Sequence, residues 1–150
     1  MKETALFFAV LFLLTVWFAW NLWNVVQLFK GLCERFWTRP MWWLRLLSVA
    51  LFTGAAAWVF GVSAGGLDTR EACELTHYQP YDSDYRAAHS DEPRRMFPLH
   101  NKCNASYDLV PSWVNPTVVA CFVIAVLCIV VLGWLGVSRA LAVKRKELRS

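Results

Sequence analysis

The chain has 150 residues and a mass of 17.2 kDa, with 57% apolar residues, 17% charged residues and a mean hydropathy of +0.38. Soluble domains are usually about 45–50% apolar, and here the apolar residues gather into three long runs rather than recurring at helical or strand periods. That excludes a water-soluble globule and marks an integral membrane protein, read as one domain over 1–150. No catalytic or nucleotide-binding signature is recognisable in it, and no cofactor is expected.

Residues 5–29 hold 25 positions without a charge, whereas a bilayer core of about 30 Å needs only about 20 helical residues. A cleaved signal peptide is the competing reading. Lys2 is cancelled by Glu3, and the run ends among Trp17, Trp20 and Trp23 rather than at a small-residue cleavage site, so a retained transmembrane helix is predicted. The second predicted span is 46–64, preceded by Met41, Trp42, Trp43 and Arg45, residue types that anchor at headgroup level. The third is 117–138, with Asn115 as its expected N-cap, Pro116 in the first turn and Arg139 as the first charge after it.

Charge orients these spans. The first connection carries Lys30, Arg35, Arg39 and Arg45 against Glu34, net +3, and the tail from Arg139 has five bases against Glu147, net +4. Both are expected to be cytoplasmic. The loop over 67–115 has eight acids and five bases, net −3, so it and the N-terminus are placed outside. The expected fold is therefore an all-α membrane protein of three transmembrane helices, N-terminus outside and C-terminus cytoplasmic.

That topology assigns the redox surroundings of the five cysteines. Cys73 and Cys103 share the outer loop and are expected to form a disulfide, because so short a segment has little core of its own. A thiol oxidoreductase would more often show C-x-x-C, which is absent. Cys33 reads as a free cytoplasmic thiol, and Cys121 and Cys128 as small packing residues of the third span.

The outer loop also holds all four tyrosines and the three histidines, His77, His89 and His100. Eleven and then ten residues intervene between successive histidines, unlike ligand pairs presented by one helical turn, so no metal is expected and these three remain minor candidates. Tyrosines and Met96-Phe97 are expected to pack the loop against itself and the membrane surface while its histidines and acids face water. Asp82, Asp84, Asp91 and Glu92 do not meet the EF-hand spacing. Residues 108–114 are expected along the outer interface, with Trp113 as an anchor. Asn104-Ala105-Ser106 fits a glycosylation sequon.

No Asp, Glu, Lys, Arg or His lies inside a predicted span, which argues against a self-contained pump. Asn21, Asn24 and Gln27 form a polar stripe suited to interhelical bonds. On the second span Ala50, Gly54, Ala57, Gly61 and Gly65 recur at steps of four, three, four and four, a line of small residues on which another helix can seat closely. Trp58 and Phe60 are assigned to a lipid-facing side.

The Trp-rich, Ala/Val/Arg-rich composition is similar to that of small membrane proteins common in high-GC actinobacteria. The similarity covers composition and implies a bacterial plasma membrane, where the Asn104 sequon is idle. The expected function is that of a non-enzymatic accessory, scaffold or interaction subunit, with the lipid bilayer and another membrane protein or a second copy as partners, and no nucleic acid. The alternative is an extracytoplasmic metal-binding or thiol-redox protein using the loop Cys and His residues. A pore formed by oligomerisation around the first-helix stripe is the weakest of the three.

Overall fold

A computed structural model describes residues 2–147. Helix α1 covers Lys2–Cys33, α2 covers Pro40–Val62, and α5 covers Val114–Glu147. Each is long and apolar enough to cross a membrane, and of their apolar stretches only 6%, 17% and 11% is buried within the protein. A soluble helix hides its apolar stripe, so surfaces left this bare belong in lipid.

The helices run past the predicted spans at most of their ends. The added turns carry charge or interfacial aromatics, which a hydropathy window rejects although the backbone hydrogen bonding continues through them. Pro40 supplies the fixed φ and missing N–H suited to the first turn of α2. At the other end of the connection, Arg35 takes a left-handed conformation at φ 57° just beyond α1.

The described residues divide into two compact units. One comprises residues up to Phe52 and from Val123 onward; the other is Thr53–Phe122. The latter contains α3 (Thr69–Glu71) running into a wide turn at Ala72–Thr76, α4 (Ser83–Ala88), and a short antiparallel pair, β1 (Lys102–Asn104) with β2 (Tyr107–Asp108). Lys102 pairs with Asp108 and Asn104 with Tyr107, with an irregularity between. Carboxylates begin both loop helices: Asp68 accepts from the backbone N–H groups of Arg70 and Glu71, and Asp82 from that of Tyr85.

Two small cores fill this second unit. Cys73, Cys103 and Leu109 form one, flanked by Ala64, Ala72, Tyr81 and Tyr107, and Leu99, Val110 and Val114 form the other, flanked by Ala64 and Val118. Within residues 108–114, Leu109, Val110 and Val114 are buried in these cores, while Trp113 stays exposed with its ring 5.5 Å from Phe60. Met96 has an exposed side chain, and its backbone carbonyl accepts from Trp58 Nε1 at 3.0 Å.

Candidate functional site

The chemistry-bearing residues of the loop converge on the β1–β2 hairpin. Cys73 and Cys103 form a disulfide with a Cα separation of 5.8 Å, and both are fully buried. Around it the backbone is tied across sequence: the Asp82 N–H donates to the Cys103 carbonyl, and the Gln79 N–H to the Cys73 carbonyl.

Asp108 organises the turn back into α5. Its Oδ1 accepts from the N–H groups of Asn101 and Val110 at 3.0 and 2.9 Å, and its Oδ2 lies 2.7 Å from His100 Nδ1. Arg86 Nη1 donates to Asn101 Oδ1 and to the Lys102 carbonyl, at 2.9 and 2.8 Å. Lys102 Nζ in turn reaches the Tyr85 hydroxyl at 3.2 Å and Glu92 at 3.5 Å. The bond to Tyr85 is the main cause holding the Lys102 ammonium above its ordinary pKa of 10.5, with the Glu92 charge adding to it and partial burial opposing it.

The three histidines are separately engaged. His77 Nδ1 is 3.0 Å from the Tyr107 hydroxyl; His89 stacks on Tyr85 and points Nδ1 at the Tyr85 carbonyl; His100 faces Asp108. A carbonyl and a carboxylate only accept, so Nδ1 is the donor in the His89 and His100 contacts. Among the described residues no three His, Cys, Asp or Glu groups gather closely enough to hold a metal ion. Asn104 is equally committed: Nδ2 donates to the Pro80 carbonyl, while Oδ1 accepts from the Ser106 N–H and hydroxyl and from the Tyr107 N–H. The atom a glycan would use, Nδ2, is the one that donates to Pro80.

Asn115 does not cap α5, which begins one residue earlier. Its side-chain amide accepts from the Leu99 N–H at 2.9 Å and donates to the Leu99 carbonyl at 3.0 Å. A flat amide matches both backbone groups of one residue, a pairing worth more than one half-used cap. Sequence reasoning read the Asn-Pro pair as a helix start and missed this clamp, because Leu99 lies sixteen residues away.

The small residues of α2 are covered within the chain. A Cβ at Gly54 would stand 3.0 Å from Cys121 Cβ, and one at Gly61 would stand 2.6 and 2.8 Å from side-chain atoms of Leu99 and Val114. At Gly65, in the turn that follows α2, it would collide with the Asn101 side-chain amide. Ala50 and Ala57 are buried as well. Trp58 and Phe60 contact Met96 and Trp113 and keep exposed area.

On α1 the polar stripe splits. Asn21 donates Nδ2 to the Trp17 carbonyl of its own helix and accepts at Oδ1 from Ser48 Oγ of α2, at 3.1 Å. Asn24 is 1% exposed, and its Oδ1 lacks a partner among the described residues. Gln27 lines a cavity at the end of α1 together with Lys30, Glu34, Arg39 and Arg45. Ser48 gave no signal in the sequence, since one hydroxyl inside an apolar run scarcely alters its hydropathy. Set against known protein families, curated proteins and solved structures, the chain matches none.

Proposed function

We propose that this chain is a non-catalytic subunit of a cell membrane, with its N-terminus and the 67–115 loop outside and its C-terminus in the cytoplasm. It acts by contact, through the stapled loop and the uncovered helix faces, with a larger membrane protein or with copies of itself. The observation that carries this reading is the enclosure of the Cys73–Cys103 bond at zero exposure, in a loop where Arg86, Lys102, Asn104 and Asp108 are bonded to other groups of the loop. A redox pair must be reached by an attacking thiolate. A loop held this way presents a fixed shape instead.

The small-residue face of α2 is occupied within the chain, so contact with a partner falls to other faces, such as the one bearing Trp20 and Trp23 on α1. The charge asymmetry between connections supports the orientation. The test is purification in a mild detergent with mass spectrometry of what co-elutes. A stoichiometric membrane partner or a discrete homo-oligomer is expected. Elution of the single chain with stoichiometric zinc or copper would overturn the reading in favour of a loop metal site.

A further inference from the structure

Gly31, in the last turns of α1, is buried, and a Cβ there would stand 2.6 Å from Trp42 Cδ1 and 3.0 Å from Trp42 Nε1. The missing side chain lets the indole lie against α1, where its Nε1 donates to the Leu28 carbonyl at 3.4 Å. Trp42 so placed lines two adjoining spaces. The first, about 370 Å³, is also lined by Gln27, Lys30, Arg39 and Arg45, with Glu34 as its acid. The second, about 280 Å³, has an entirely apolar lining that includes Val25, Leu28, Leu32, Leu46 and Val49.

Three cations face one carboxylate in the first space, and none of the four takes part in an ion pair among the described residues. Arg39 instead holds its guanidinium 4.2 Å over the Phe36 ring, which fixes one donor fork beside the cavity. The volume falls within the range of about 300–1,000 Å³ usual for ligand sites. Unpaired like charges repel, and an anion relieves them. The apolar space asks for a hydrocarbon chain, and both spaces sit where the apolar runs of α1 and α2 give way to the charged connection, the depth at which a lipid's phosphate meets its acyl chains.

We propose that the α1–α2 connection is a binding site for an anionic glycerophospholipid, its phosphodiester held by Lys30, Arg39 and Arg45 and one acyl chain laid along Leu28, Leu32, Leu46 and Val49, with Trp42 between. Inorganic phosphate would satisfy only the cationic half, and a zwitterionic lipid only the apolar half together with a phosphate whose charge its own amine offsets. The site requires that α1 and α2 span a membrane and does not depend on which side the connection faces or on any protein partner.

The test is native mass spectrometry of the detergent-solubilised chain titrated with phosphatidylglycerol, phosphatidylcholine or inorganic phosphate. Phosphatidylglycerol is expected to bind about tenfold tighter than phosphatidylcholine, and the double variant Arg39→Gln/Arg45→Gln to lose that preference. Lys144→Gln/Arg145→Gln, which removes the same charge from the end of α5, is expected to keep it. Val49→Trp, which fills the apolar space, is expected to weaken both lipids. Equal binding of the two lipids by the unmodified chain overturns the proposal even if no variant folds. So does an equal loss in the two charge variants, which would reduce the effect to net charge, or full displacement of the lipid by millimolar phosphate, which would make this an anion site alone.

Discussion

The side-chain amide of Asn115, in the first turn of α5, pairs with both backbone groups of Leu99, sixteen residues earlier, at 2.9 and 3.0 Å. Leu99 is buried against Val110 and Val114, so the clamp sets the return of the loop onto the helix that follows it. Asn115→Ala strands a buried N–H and carbonyl and is expected to destabilise by about 1–3 kcal/mol. Asn115→Asp retains the acceptor alone and is expected to fall between. Thermal unfolding in detergent, read by near-UV circular dichroism, checks both; an alanine variant as stable as the parent would show the clamp to be idle.

The disulfide closes a loop of 30 residues by sequence separation. In the chain-entropy account its removal destabilises by roughly 3–4 kcal/mol. Cys73→Ser and the double variant with Cys103→Ser are expected to lose similar stability and to open the loop to protease, while the helices keep their far-UV signal. Protease resistance unchanged by Cys73→Ser would contradict a structural role for the bond.

The glycines of α2 and α5 separate by what surrounds them. Gly61→Ala must push Leu99 and Val114 aside and is expected to cost about 1–3 kcal/mol. Gly133→Ala and Gly136→Ala meet open space and are expected to be neutral or slightly stabilising through helix propensity. Equal effects at Gly61 and Gly133 in a thermal-shift series would mean that the Gly61 contact is absent.

Alkaline pH offers a check on the loop. Lys102 is held above its ordinary pKa of 10.5 in the folded state, chiefly by Tyr85. A raised folded pKa contributes stability that is fully present below 10.5 and is lost as pH rises through the folded value. The difference in stability between the parent and Lys102→Met is therefore expected to be flat from neutral pH to about 10 and to shrink above 10.5. A difference that grew with pH would assign the interaction the wrong sign.

The proposed orientation has its own measurement. A cysteine-directed, membrane-impermeant probe at Ser90→Cys is expected to react from outside intact cells, and labelling only after the cytoplasmic face is opened would invert the whole assignment.

The three helices long enough to span a membrane were legible in the sequence because hydropathy is a sum over neighbours: a run of 25 uncharged residues leaves the backbone no other way to satisfy its hydrogen bonds in lipid. Cys73 and Cys103 were legible as a pair because they are the two cysteines of one short, core-poor loop. The small residues of α2 could be read as a line on one face, since helical spacing fixes direction. What covers that line could not. Gly54 meets Cys121 and Gly61 meets Leu99 and Val114 through approaches of 38 to 67 residues that only folding creates. The same holds for Ser48 on Asn21, Asn115 on Leu99, Asp108 at the turn and Trp42 over Gly31. A side chain's type is local, but its hydrogen-bond partner is set by distance and angle in space, and those are decided by the packing of segments far apart in the chain.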